Sequence, residues 1–275
     1  MPSPPLHPHP LENGSAACFA LHGRRALVTG GSLGIGRAIA LGFAEAGADV
    51  AIHHAAEADG AAKRASAAAE VVAAIKACGV RAHAAAADFT TPGVARGMVE
   101  AVAAAFGAPD ILVICASIQT RADFLAVRAE EVNRQVAVNF AATIELLQAV
   151  LPAMQAAGRG RVLAIGSVNQ TRPESELLVY AALKAAQHAL ILGLARRHAA
   201  EGITFNTLSP GLVATERNLW RRADAAAWAA IQHAANPMGR AGLPEDMVGA
   251  ALLLCSDAGA FITGADLQAT GGGHL

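Results

Sequence analysis

From Arg24 onward, short apolar runs alternate with longer, Ala-rich helical stretches. Arg25–Thr29 (RALVT) predicts a first strand that stops at Gly30, and a helical pattern follows from Gly36 to Ala46. Asp49–His53 predicts a second strand. Ala61–Ala77 reads as a helix closed by Cys78 and Gly79, and Val80–Ala86 as a third strand. Pro92–Phe106 is a helix with proline in its first turn, where a missing N–H removes no hydrogen bond. Asp110–Cys115 is a fourth strand, Ala129–Ala157 a long helix and Arg161–Ile165 a fifth strand. A helix over Leu177–Ala200, a strand over Ile203–Leu208, a helix over Pro244–Cys255 and a strand over Asp266–Ala269 complete the pattern. Strands alternating with helices of this length form βαβ units, with right-handed crossovers. Strands without polar alternation belong to a parallel sheet covered on both faces. The expectation is an α/β fold, a single doubly wound sheet with helices on both sides over residues 19–275. Residues 1–18, with five prolines before Gly14, read as a disordered leader. The stretch 212–235 breaks the rhythm and reads as one or two inserted helices, a substrate lid.

Composition narrows the function classes. Apolar residues make up 54 % and charged residues 16 % of the 275, which excludes a disordered chain. Lys plus Arg number 21 against 22 Asp plus Glu, so no basic excess points to nucleic acid or an anionic membrane. No uninterrupted apolar run reaches the ~20 residues that span a bilayer. The four cysteines form no CxxC pair, as expected of a reducing, cytoplasmic setting. The ten histidines form no HExxH set, so no metal site is expected.

Candidate chemistry begins at the first strand–helix junction. Thr29-Gly30-Gly31-Ser32-Leu33-Gly34-Ile35-Gly36 combines glycines, which admit close backbone approach, with a helix N-terminus that favours anions. Tyr180 and Lys184 stand four apart on one helix and share a face. A phenol of pKa ~10 is a poor base at neutral pH, and a neighbouring ammonium lowers that value. The pair is therefore a candidate proton donor and acceptor.

The TGxxxGxG spacing and the Tyr180-Ala181-Ala182-Leu183-Lys184 sequence resemble the short-chain dehydrogenase/reductase family (YxxxK). Ser167 precedes the tyrosine by 13 residues, a usual spacing there. Pro210-Gly211 with Val213 and Thr215 is similar to the family's PGxxxT turn, and Ser256-Asp257, Ile262-Thr263-Gly264 and Gly271-Gly272-Gly273 to its C-terminal run. The resemblance implies a Rossmann-type fold and hydride transfer between NAD(P)(H) and a carbonyl or secondary alcohol. It implies Tyr180 as acid/base, Lys184 as its partner and ribose ligand, and Ser167 as the hydroxyl that orients substrate. Asn139 would fix a water linking Lys184 to solvent. The cofactor would lie along Gly30, Ser32, Leu33, Gly34, Ile35 and Gly36, past His53, the adenine-contacting Asp88 and Phe89. Cys115, Ala116, Tyr180, Lys184, Pro210, Gly211, Val213 and Thr215 would line the nicotinamide side. A homo-oligomer, tetramer or dimer, packed through the long helices is also implied.

Two departures stand out. The family's Asn-Asn-Ala-Gly after the fourth strand is replaced by Ile114-Cys115-Ala116-Ser117. That leaves local repacking with activity kept, or a non-catalytic nucleotide-binding or scaffolding relative. The second strand ends in His53-His54-Ala55 with Glu57 only later, so no acid stands ready for a ribose 2′-OH. This favours NADP over NAD. Substrate specificity is expected in residues after Ser167, in the loop 118–124 and in the lid. There Arg217, Arg221, Arg222 and the nearby Arg240 could pair with an acidic substrate or form a solvated face. Trp220 and Trp228, roughly two helical turns apart, could share a face over the cleft or pack into the core. A sugar, polyol or sugar acid is the expected substrate. Lyase or epimerase chemistry on a nucleotide sugar is disfavoured by the short substrate segment.

Overall fold

The computed structural model describes residues 17–55 and 65–275. Seven strands, β1 (Arg25–Val28), β2 (Asp49–His54), β3 (Ala82–Ala86), β4 (Ile111–Ile114), β5 (Gly160–Ile165), β6 (Ile203–Pro210) and β7 (Asp266–Ala269), form one sheet. All pairings are parallel, in the order β3-β2-β1-β4-β5-β6-β7. Every residue of β4 and of β6 is buried, as in a parallel sheet covered on both faces; β6 buries Thr204, Asn206, Thr207 and Ser209 as well as its apolar residues.

Helices cover both faces. On one side α1 (Gly34–Glu45), α2 (Ala67–Ala77) and a late helix, Val248–Cys255, pack Ile39, Phe43, Val71, Ile75 and Leu254 against the sheet. On the other, α3 (Val94–Phe106), α4 (Ala129–Ala157) and α5 (Leu178–His198) contribute Val99, Val102, Leu146, Val150 and Ile191. The strand order reverses beside β1, which neighbours both β2 and β4. The crevice at the carboxyl ends of those strands is where ligands of such folds bind.

Boundaries differ from expectation by a few residues. α2 starts at Ala67, and positions 61–64 of the predicted helix lie outside the described residues, as does Glu57. The predicted leader also lies outside them, except that Ala17–Phe19 forms a short 3-10 turn with Cys18 buried. Pro244–Met247 is a 3-10 turn that leads into the Val248–Cys255 helix. The stretch expected to form a lid comprises a 3-10 segment, Glu216–Arg222, and α6 (Ala225–Ala235), neither with a buried residue. The break between them undoes the expected helical spacing of Trp220 and Trp228. Trp220 is exposed on the cleft rim, and Trp228 belongs to α6. With α6 assigned to the lid, Val248–Cys255 is α7.

Two helical stretches are apolar on average although polar residues interrupt them. Ala129–Ala157 and Ser175–Glu201 are long and apolar enough to cross a membrane by length and composition. Both lie along the sheet and supply Leu146 and Ile191 to its core. α4 also contains a π turn, Ala137–Ala141, of the kind that recurs at functional sites.

Candidate active site

The turn after β1 is shaped by contacts that only glycine permits. Gly30 has φ +64°, and a Cβ there would lie 3.0 Å from the Ala116 Cα. A Cβ on Gly36 would come within 2.2 Å of the Gly30 carbonyl oxygen. β4 is drawn in by Thr29, whose Oγ1 accepts from the Cys115 N–H at 2.9 Å and the Ala116 N–H at 3.1 Å. The residue crowding the turn is thus Ala116, and the serine in place of the family's glycine faces elsewhere. α1 starts with neither a side-chain cap on Leu33 nor an acid in its first turn. Its end presents N–H groups and a positive dipole to the cleft, a built place for a diphosphate.

The end of β2 places His53, expected along the cofactor, in the wall of the cleft. His53 is buried, with Nδ1 accepting from the Gly30 N–H at 3.2 Å and Nε2 3.1 Å from the Ala87 carbonyl. Its ring stacks on Phe89 at 3.9 Å between centroids. Its ring nitrogens are engaged with backbone, so His53 shapes the glycine turn and walls the cleft rather than offering a nitrogen to a ribose. Asp88 also lines the cleft. Its carboxylate accepts from the Thr90 N–H at 2.9 Å and hydroxyl at 2.7 Å, which holds it below its ordinary pKa.

β5 and α5 bring the proton-transfer candidates together. Ser167 follows β5, and its hydroxyl accepts from the Asn169 N–H at 3.1 Å and stands near enough to the Tyr180 phenol to favour its charged form. Lys184 is 2 % exposed, and its Nζ lies 5.9 Å from the centre of the Tyr180 ring. The ammonium donates to the Ile165 carbonyl at 2.6 Å and to Gln187 Oε1 at 3.2 Å. Burial brings its pKa down to about 8. Burial pushes the Tyr180 phenol up, opposed first by the Arg217 guanidinium and then by the Ser167 hydroxyl. The cation that most favours the phenolate here is Arg217, and not Lys184 as the i, i+4 spacing predicts. Burial likewise pushes the Cys115 thiol up, against Lys184 and Arg217, as befits an unreactive sulfur.

Asn139 is the one expected site residue that does not line the cleft. It lies in the π turn, buried, with Oδ1 accepting from the Ile118 N–H at 2.9 Å and Nδ2 donating to the Ile118 carbonyl at 2.8 Å. Between the Lys184 ammonium and the Asn139 carbonyl lies a side chain, that of Gln187. Gln187 accepts from Lys184 and donates to the Asn139 carbonyl at 3.4 Å. Its i+3 spacing from Lys184 was the signal that sequence reasoning passed over.

A cleft of about 1670 Å³ joins these parts. Gly30, Ser32, Leu33, Gly34, Ile35, Gly36, His53, Asp88, Phe89, Cys115 and Ala116 line it, as do Ser167, Tyr180, Lys184, Pro210, Gly211, Val213 and Thr215. Arg217 reaches in from the lid, donating to the Ser117 carbonyl at 2.7 Å and hydroxyl at 3.1 Å. The other arginines considered for substrate divide. Arg221 lines the cleft beside Trp220, Arg222 donates to the Thr215 carbonyl at 2.9 Å, and Arg240 pairs with Asp246 at 2.7 Å. In the loop after β4, Arg121 is held by Glu174 and Glu176. The arrangement can bind a diphosphate at one end and exchange a proton with a bound oxygen at the other.

A family model described as enoyl-(acyl carrier protein) reductase matches residues 30–274. L-Rhamnose 1-dehydrogenase (NAD(P)(+)) of Sphingomonas sp. (strain SKA58) is 36% identical over 256 residues, 93% of this chain and 98% of that protein. A 3-oxoacyl (acyl-carrier-protein) reductase from Agrobacterium tumefaciens C58, with NADP bound, is 44% identical with a TM-score of 0.89, covering 95% of this chain and 98% of that one. A gluconate 5-dehydrogenase from Burkholderia cenocepacia J2315, in complex with NADP and tartrate, is 34% identical with a TM-score of 0.83, covering 92% and 96%.

Proposed function

Because this chain belongs to the short-chain dehydrogenase/reductase family of NAD(P)-dependent oxidoreductases, we propose that it interconverts a carbonyl and a secondary alcohol of a sugar, polyol or sugar acid, with NADP preferred over NAD. The observation that carries this reading is the Ser167–Tyr180–Lys184 cluster at the inner end of a cleft whose other end is an uncapped helix terminus. The dinucleotide, when bound, supplies the hydride donor or acceptor. Its diphosphate would sit on Gly30–Gly36 and α1, with Pro210, Val213 and Thr215 beside the nicotinamide. NADP is supported by relatives that hold it and by the lack of an acid at His53-His54-Ala55.

Ser167 holds the substrate oxygen by hydrogen bond. Tyr180 gives that oxygen a proton in reduction and takes it in oxidation, and Lys184 holds the ribose and keeps positive charge beside the phenol. Asn139 acts from behind: its side chain holds the Ile118 backbone beneath the substrate loop. Arg217, set against Tyr180, suits a substrate carboxylate, in line with the tartrate held by the gluconate 5-dehydrogenase. The complete hydroxyl–phenol–ammonium set speaks against a purely nucleotide-binding or scaffolding role. The outward apolar faces of α4 and α5 support a homotetramer or homodimer. Four free thiols support a reducing, cytoplasmic setting.

The deciding experiment is a panel of sugars, polyols and sugar acids assayed with NADP and NAD, on the wild type and Tyr180→Phe. Turnover in the wild type should fall about 1000-fold or more in the variant, with NADPH affinity by fluorescence within about threefold. Substantial turnover by Tyr180→Phe would remove the phenol from the mechanism.

A further inference from the structure

Behind the Tyr180–Lys184 pair lies a buried polar knot formed by α4 and α5. Gln187, 1 % exposed, stands one turn beyond Lys184 and links both helices. Its Oε1 takes one ammonium hydrogen of Lys184 at 3.2 Å. Its Nε2 donates to the Thr143 hydroxyl at 2.8 Å and to the Asn139 carbonyl at 3.4 Å. Thr143 in turn donates to the same carbonyl at 3.3 Å. Asn139 and Thr143 are each 1 % exposed. The carboxamide therefore fills the space between ammonium and carbonyl with both of its polar atoms engaged. An ammonium has three donors. The Ile165 carbonyl and Gln187 take two of them, which leaves one for the cleft.

We propose that Gln187 is a positioning residue for the hydride-transfer site: its carboxamide locks the Lys184 ammonium toward the cleft and seals the path between Lys184 and the Asn139 carbonyl. This inference rests on the oxidoreductase reading above and adds to it a named support. A carboxamide holds hydrogen bonds at both ends but neither gains nor loses a proton near neutral pH. The span is therefore a strut, and proton exchange of the pair with solvent runs through the cleft. The charged and titratable groups facing Lys184 are Tyr180 on its own helix, Cys115 after β4 and Arg217 from the lid. From α4 it meets only the neutral Asn139 and Thr143, by way of Gln187.

The chain has three lysines, Lys63, Lys76 and Lys184, so NMR of isotope-labelled lysine side chains follows Lys184 in the intact protein without any substrate. Gln187→Leu keeps the bulk and removes the acceptor; the Lys184 pKa should fall from about 8 by about one unit or more. Gln187→Glu places a carboxylate against the ammonium and should raise it toward the ordinary lysine value. Gln187→Ala opens a polar space that water can fill with partners at hand, so the pKa should stay within about half a unit. Turnover should follow the same order, with kcat about tenfold lower in Gln187→Leu and within about threefold of wild type in Gln187→Ala. A packing role predicts the reverse, because Ala leaves the larger cavity. An unshifted Lys184 in both the Leu and Glu variants, or a Leu variant as active as wild type, would overturn the proposal. Shifted lysine signals in a wild type that turns over no substrate would leave the Gln187 strut standing and remove the oxidoreductase reading instead.

Discussion

A Cβ on Gly36 would lie 2.2 Å from the Gly30 carbonyl oxygen, backbone against backbone, with no flexible side chain to give way. Gly36→Ala must therefore open the turn that receives the diphosphate. It should weaken NADPH binding at least about 100-fold in a fluorescence titration. Lys184 makes a different kind of demand. Its pKa is about 8 in the fold against 10.5 ordinarily, so between those values the unfolded chain binds more protons. That single group makes stability rise as pH climbs from about 8 toward 10.5. Cys255 acts in the opposite sense: burial pushes its thiol from 9.0 to about 12. The folded state keeps that proton, and the thiol's contribution is lost as pH rises above about 9. Denaturant midpoints should therefore improve between about pH 8 and 9. Lys184→Met should flatten that rise; an unchanged pH slope in the variant would show that the lysine carries no such burden.

At the scale of elements, the segment proposed as a lid is held to the rest of the fold by few buried contacts. Neither the 3-10 turn Glu216–Arg222 nor α6 buries a residue, so moving them exposes little apolar surface. What ties the lid to the floor of the site is Arg217 on the Ser117 carbonyl and hydroxyl. The serine that departs from the family's glycine thus supplies a latch. A guanidinium placed there can exchange Ser117 for a substrate carboxylate. Arg217→Ala should raise KM for sugar acids about tenfold or more and leave neutral polyols within about threefold. Equal effects on both classes would assign Arg217 to lid closure alone.

At the scale of the molecule, α4 and α5 are more apolar than one chain can cover. The apolar windows of Ala129–Ala157 and Ser175–Glu201 are only 33% buried within the chain. Leu192 on α5 is 41 % exposed and Val136 on α4 is 38 % exposed. Covering such faces by self-association removes apolar surface from water at about 25 cal/mol per Å². Light scattering should find a dimer or tetramer, and Leu192→Arg should shift it toward monomer, since a charge there would be buried unpaired. A wild type that is already monomeric at micromolar concentration would end the assembly proposal.

The parallel sheet, the glycine turn and the Tyr180/Lys184 pair could be read from the chain alone, because each is a local pattern. Apolar runs repeat with strand and helix lengths, glycines mark a turn that admits no Cβ, and an i, i+4 spacing puts two side chains on one face. His53, Arg217 and Gln187 could not be read in the same way. Apart from the i+3 contact of Gln187 with Lys184, the partners that fix their roles lie 23 to 100 residues away. Hydrogen-bond partners across such distances are chosen by packing and not by neighbouring sequence. Only the folded chain decided that His53 serves the glycine turn, that the Arg217 charge acts on the phenol, and that a carboxamide lies between Lys184 and the Asn139 carbonyl. Buried polar atoms must find partners where the fold leaves them, and sequence order does not say which partners those are.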